Sequence, residues 1–156
     1  MTNKPLTGCT FALIQNEEAL TAALAIAGAE WLVCPPATFC EPDNYDLLDQ
    51  ALENFFGYDW VILANTRGAE AFLRRFTELG QPLHELDEIR VCALDHLTAQ
   101  MLAEEHIHVD LVPPIPHPQD TLNALADYLG GPANLALCNF LLPRAVATRD
   151  PLPRLL

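Results

Sequence analysis

The chain contains no serine and only one lysine, Lys4, and both absences exclude chemistry. Without serine there is no Ser/His/Asp nucleophile, and without a G-x-x-x-x-G-K-[ST] element there is no phosphate-cradling P-loop. Basic side chains are scarce altogether: 8 Lys+Arg stand against 21 Asp+Glu, a net charge of −13. Residues 1–143 are more lopsided still, with 5 basic and 20 acidic side chains, or −15. A nucleic acid or an anionic membrane needs a basic face that displaces counterions, and only Arg67, Arg74, Arg75 and Arg90 are present to build one. No apolar run approaches the ~18 residues that span a bilayer. The opening Met1-Thr2-Asn3-Lys4-Pro5 lacks a charged segment followed by an apolar core. The expectation is a cytoplasmic protein that meets neither nucleic acid nor membrane.

Five cysteines (Cys9, Cys34, Cys40, Cys92, Cys138) form no C-x-x-C pair. An odd number without metal-ligand spacing reads as reduced thiols rather than a disulfide framework or a zinc site. Cys9, Cys34, Cys92 and Cys138 each lie in an apolar run, so burial in the core is expected of them. His106-x-His108 projects two imidazoles to one side if that segment is extended, with His96 and His117 as further candidates; exposed histidines before a strand are the alternative. No metal and no cofactor is expected.

What is present is the balance of one folded domain: 156 residues, 51% hydrophobic and 19% charged. That length buries roughly 70% of the unfolded surface. Short apolar runs alternate with helical periods along the chain. Thr10–Ile14 reads as a strand, and Leu20, Ala23, Leu24 and Ala27 mark a helix that Gly28 ends. Trp31–Cys34 is a second strand, closed by Pro35-Pro36. Leu47, Leu48, Ala51, Leu52, Phe55 and Phe56 form the clearest amphipathic stripe. Asp59-Trp-Val-Ile-Leu63 is a buried strand, followed by the polar turn Asn65-Thr66-Arg67-Gly68 and a helix carrying Phe72, Leu73, Phe76 and Leu79. Ile89–Leu94, a helix from about Leu97 to Glu105, and His108–Val112 repeat the alternation. Pro113–Pro118 is a rigid connection. Leu122, Leu125, Ala126 and Leu129 mark another helix, and Asn134–Leu142 is the last strand-like run, with Leu135 and Leu137 expected on it.

This order predicts a single α/β domain with a mainly parallel sheet and helices on both faces. In such sheets ligands gather beyond the carboxyl ends of the strands. The candidate positions are therefore Gln15-Asn16, Asn65-Thr66-Arg67-Gly68, Asp95-His96-Leu97-Thr98, the Pro113–Pro118 loop and Pro143-Arg144. A dinucleotide is disfavoured because Gln15-Asn16-Glu17-Glu18 replaces the glycines of its first turn. A phospho-accepting receiver is disfavoured because the third strand ends in Ala64-Asn65-Thr66. Asn65, Thr66 and Arg67 suit a carboxylate ligand through backbone N–H groups and one guanidinium, and Asn and Thr equally suit a helix cap. Thr98 divides in the same way between a ligand and its own helix.

Five blocks carry a family resemblance. Asp59-Trp-Val-Ile-Leu-Ala-Asn-Thr-Arg-Gly-Ala-Glu-Ala-Phe72 resembles D-W-V-I-F-T-S-x-N-G-V-x-A-F of uroporphyrinogen-III synthases. Ala22-Ala23-Leu24-(x)3-Gly28-Ala29 resembles the family's opening, and Arg90-Val-Cys-Ala-Leu-Asp-His-Leu-Thr-Ala99 its V-x-A-V-G-x-x-T-A. His108-Val-Asp-Leu-Val-Pro113 is similar to v-d-x-v-P, and Leu141-Leu-Pro-Arg-Ala-Val-Ala-Thr-Arg-Asp-Pro-Leu-Pro153 to L-L-P-R-G-x-x-A-R-D-x-L-P. The resemblance implies a two-lobed α/β enzyme that binds hydroxymethylbilane, a linear tetrapyrrole. Such an enzyme removes the terminal hydroxyl as water, inverts the last pyrrole ring through a spiro intermediate and closes uroporphyrinogen III, without a cofactor. By that alignment residues 1–36 correspond to a β-α-β piece of the first lobe and residues 37–156 to most of the second.

The departures from the family pattern fall where a ligand would be read. The family's T-R after the first strand is Gln15-Asn16, its T-S after the third is Ala64-Asn65, and the glycine before its T-A is Asp95; Thr98 matches. A substrate with eight carboxylates also meets long-range repulsion from a segment of −15. The resemblance leaves two expectations: a synthase whose site a partner chain completes, or a non-catalytic module that binds a tetrapyrrole or a protein. Tetrapyrrole contacts are expected at Asn65, Thr66, Arg67 and Thr98, with the isolated chain inactive. A homodimer or partner chain is expected to cover apolar surface at Leu152, Leu155 and Leu156. The last thirteen residues, net +2, offer a docking segment for an acidic body or a solvated end.

Overall fold

A computed structural model describes residues 4–14, 16–34, 40–145 and 151–156. The chain divides into two compact units, Met1–Glu41 and Pro42–Leu156. Gln15, Pro35, Pro36, Arg149 and Asp150, which figure in the sequence expectations, lie outside the described residues.

In the first unit β1 (Thr10–Leu13) and β2 (Glu30–Val33) pair in parallel, Thr10 opposite Glu30 and Leu13 opposite Val33. Helix α1 (Glu18–Ala27) connects them. Its stop is Gly28, at φ 84°, whose N–H reaches back to the Ala25 and Leu24 carbonyls. A side chain there is excluded twice over, by the left-handed backbone and by Lys4 Cβ, 2.9 Å from where a Cβ would stand. Leu24 and Ala29 are buried, but most of the strand residues are exposed, because two strands and one helix cover little of each other.

The second unit carries the main core. Its sheet has the order β4-β3-β5, all parallel: β3 (Trp60–Leu63), β4 (Arg90–Ala93) and β5 (Phe140–Leu141). Alternate residues of β3 serve opposite faces, which is why Asp59–Leu63 reads as an unbroken apolar run. Val61 and Leu63, with Val91, Ala93 and Leu141, pack under α2 (Asp46–Glu53), α3 (Thr66–Glu78) and α4 (His96–Glu104), meeting Leu52, Phe55, Phe72, Phe76 and Leu102. Trp60, Ile62 and Cys92 face the other way, toward Leu125 of α5 (Pro118–Tyr128) and Leu135 of α6 (Pro132–Leu135). Helices thus cover both faces of a parallel sheet, the expected α/β class. Burying Phe72, Phe76 and Leu102 contributes on the order of 1.5–3 kcal/mol each.

Several residues depart from their expected places. His108–Val112 is not a strand: only Leu111 bridges to Cys92, because the Asp110 carboxylate takes the Val91 N–H that a strand carbonyl would accept. Pro132 opens a helical turn, so Leu135 is buried from a helix and Leu137 is 79% exposed. Helix α2 gives way to a 3-10 turn at Phe55–Gly57, and the changed period turns Phe55 inward and leaves Phe56 63% exposed. Among the cysteines only Cys92 is buried; Cys138 is half-buried, and Cys9, Cys34 and Cys40 are exposed. Leu152 is not a free tail residue either. At 1% exposure it packs with Trp60, Ile62 and Leu125, so the end of the chain docks on its own unit.

His106 also breaks the expected extended segment. It sits at φ 62°, and its N–H and that of Ile107 donate to Ala103 and Leu102, closing α4. The premise of two imidazoles on one side of a strand therefore fails. Among the described residues no three His, Cys, Asp or Glu side chains gather in a metal-holding group.

Candidate functional site

Strands β3 and β4 run side by side with Leu63 opposite Ala93, and the Leu94 N–H donates to the Leu63 carbonyl at 3.0 Å. The turns after the two strands therefore emerge at the same edge of the sheet. After β3 the chain turns at Asn65, which is extended, and enters α3 at Thr66. Asn65 Oδ1 accepts the Gly68 N–H at 2.8 Å, and its carbonyl accepts the Ala69 N–H at 2.9 Å. After β4 the chain turns at Asp95, likewise extended, and enters α4 at His96. Asp95 Oδ1 accepts the Thr98 N–H at 2.7 Å, and its carbonyl accepts the Ala99 N–H at 3.1 Å. Two adjacent strand-to-helix turns thus share one capping geometry. Each presents a helix N-terminus, with its first-turn N–H groups, beyond a parallel strand.

The structure gathers Asn65, Thr66, Arg67 and Thr98 at this edge in different ways. Asn65 is a helix cap, so its carboxamide oxygen is already engaged. Thr66 is half-buried and Arg67 exposed. Thr98 is 0% exposed, and its hydroxyl has no hydrogen-bond partner among the described residues. It lies one turn before Leu102 on the face of α4 turned to the core, so it sits beneath the rim rather than on it. Arg144 follows β5 along the same sheet and is exposed, and the Pro113–Pro118 loop leads from the segment beside β4 into α5. Asn16 is exposed in the other unit.

Of the four arginines available for a basic face, only Arg67 lies at this rim. Arg75 is spent on structure: Nε and Nη2 donate to the two carboxylate oxygens of Asp49 at 2.7 and 2.6 Å, and Nη1 to Glu78 at 3.0 Å, fastening α3 to α2. The hydrogen bond from Arg75 holds the Asp49 carboxyl below the usual carboxylate range. Arg74 lies 3.9 Å from Glu78. Arg90 starts β4 at the opposite edge and stacks over Trp60, 5.8 Å from the ring centroid.

That opposite edge holds a cavity of about 670 Å³ beside Tyr58, Asp59, Asp87, Glu88, Arg90 and Asp110. Four carboxylates there repel an anion, whereas the carboxyl-end rim joins helix N-termini to a guanidinium. Sequence reasoning placed Asp95 among the candidate positions but missed its role as the cap of α4. Its signal was the Asp-x-x-Thr spacing, which matches that of Asn65 and Gly68.

The family model of uroporphyrinogen-III synthase HemD matches residues 18–156. A curated relative, the uroporphyrinogen-III synthase of Synechococcus elongatus, is 26% identical over 117 residues, which cover 73% of this chain and 44% of that protein. The chain therefore spans less than half the length of that relative. No solved structure matches it.

Proposed function

The chain belongs to the uroporphyrinogen-III synthase family, and from that premise we propose that it is a synthase-like protein of tetrapyrrole biosynthesis, acting in the cytoplasm. Its ligand is the linear tetrapyrrole hydroxymethylbilane, held at the rim formed by Asn65, Thr66 and Arg67, with Thr98 supporting the rim from below. The observation that carries this reading is the pair of capped helix N-termini side by side beyond β3 and β4, with Arg67 beside one of them. Backbone N–H groups and one guanidinium bind the acidic side chains of a tetrapyrrole, and no metal or prosthetic group is required for that task.

Ring inversion and closure need both ends of the bilane held at once in a near-attack geometry. One rim holds one end. The 156-residue chain alone therefore binds the bilane without converting it, and a synthase activity, which would be a lyase reaction, needs a second wall. The test is to add the chain to freshly made hydroxymethylbilane and separate the oxidised products by chromatography. The expected result is uroporphyrinogen III no higher than in the protein-free control, with quenching of intrinsic fluorescence reporting binding. Isomer III clearly above that control makes the chain a complete synthase, and absence of binding removes the tetrapyrrole reading.

A further inference from the structure

The two strand-to-helix turns at the rim match in geometry and differ in charge. At the first, the cap is the neutral Asn65, so the partial positive charge of the 13-residue α3 stands uncompensated by the cap and is joined by Arg67. At the second, the cap is the carboxylate of Asp95, which sets a full negative charge on the N-terminus of α4. Only one Asp95 oxygen is engaged, by the Thr98 N–H; the other has no partner among the described residues. The Thr98 hydroxyl of the same turn, also without a partner among the described residues, is fully buried beneath the rim. The α4 turn thus presents one unengaged carboxylate oxygen and a negative charge, whereas the α3 turn presents a neutral cap, a helix N-terminus and Arg67.

We infer that Asp95 makes the rim two-sided: the α3 turn takes a carboxylate of the tetrapyrrole, and the α4 turn takes an uncharged N–H-bearing part such as a pyrrole ring and turns carboxylates away. This rests on the tetrapyrrole reading above and adds to it a residue that sets specificity. A carboxylate placed at the α4 turn would lie within a few ångströms of Asp95, where like charges repel strongly even at a protein surface. A pyrrole N–H placed there finds an ionised acceptor, the stronger kind of hydrogen bond. Tetrapyrroles that differ in carboxylate number are therefore distinguished by Asp95, while all of them depend on Arg67.

The experiment titrates the full chain at pH 8 with two probes, uroporphyrin I, which carries eight carboxylates, and mesoporphyrin, which carries two. The variants are Asp95→Asn and Asp95→Ser, both of which keep a capping side chain while removing the charge, and Arg67→Ala. Both Asp95 variants are expected to bind uroporphyrin about five- to tenfold more tightly than the parent chain. Mesoporphyrin has only two carboxylates, and its pyrrole N–H groups point into the macrocycle out of reach of Asp95, so its affinity should change less than about twofold; the uroporphyrin gain should shrink in 0.5 M salt. If the parent binds uroporphyrin and Arg67→Ala weakens it while both Asp95 variants bind no better, the two-sided assignment is wrong and the tetrapyrrole reading stands. If no form of the chain binds either porphyrin, both are wrong.

Discussion

Asp110 accepts the main-chain N–H of Val91 through Oδ2 at 2.8 Å, and the Val91 carbonyl in turn accepts the Asp110 N–H at 2.9 Å. A side chain thus stands in the ladder of β4 where the carbonyl of a neighbouring strand would. Asp59 does the same at the other edge of the sheet, its Oδ2 accepting the Asn139 N–H at 2.8 Å beside β5. The two carboxylates fasten the flanking segments to the amino ends of the sheet and leave the carboxyl ends to the capped turns.

Asp110→Ala leaves the Val91 N–H without that acceptor in a buried strand. Urea unfolding should show a loss of about 1–3 kcal/mol, the range for an orphaned buried donor. Asp110→Asn, which keeps one carboxamide oxygen, should lose less. Equal loss in both variants would show that the charge rather than the acceptor matters.

Thr98→Val replaces a buried hydroxyl that has no partner among the described residues by an isosteric methyl group. The variant should be more stable than the parent by up to about 1 kcal/mol, since no hydrogen bond is lost and a desolvated polar group is removed. A fall in thermal midpoint would show that the hydroxyl is hydrogen-bonded in solution.

The five thiols should separate by reactivity. Burial pushes Cys92 up to about 12, so at pH 8 its thiolate is scarce as well as enclosed. Cys138 is also raised, chiefly by desolvation, and its thiol donates to the Asn134 carbonyl at 3.4 Å. Timed alkylation with mass mapping should modify Cys9, Cys34 and Cys40 first, Cys138 later, and Cys92 only in denaturant. Early labelling of Cys92 would contradict the packing of the second face of the sheet.

The Asp49–Arg75 pair should give stability a defined pH dependence. The hydrogen bond from Arg75 holds Asp49 below its unfolded value of about 3.9. Its contribution is therefore fully present above that value and is lost as pH falls through the lower folded value. Asp49→Asn should unfold at lower urea concentration than the parent at pH 7 and pH 5, and the difference should close as the pH is taken below 3.9. A difference that persists in strong acid would mean that the variant disturbs packing rather than charge.

The elements written by local periodicity were legible in the sequence. Helix α3 is marked by Phe72, Leu73 and Phe76, α2 by Leu48 and Leu52, and β3 by an apolar run with buried neighbours on both sides. Each signal depends on residues a turn apart or less. The residues of the rim were legible as chemical types, because Asn65, Thr66 and Arg67 follow a strand and precede a helix. Asp95 was legible as a candidate position, but not as a helix cap that matches Asn65. Asp95 lies thirty positions further on, and only the parallel register of Leu63 with Ala93 sets its turn beside that of Asn65. The exposure of Phe56 and Leu137, the housing of Leu152 and the replacement of a strand by the Asp110 carboxylate were likewise decided by packing and hydrogen bonding between distant segments. Periodicity says which side of an element is apolar. Whether another element arrives to cover that side, and which charge stands beside it, is fixed only when the sheet assembles.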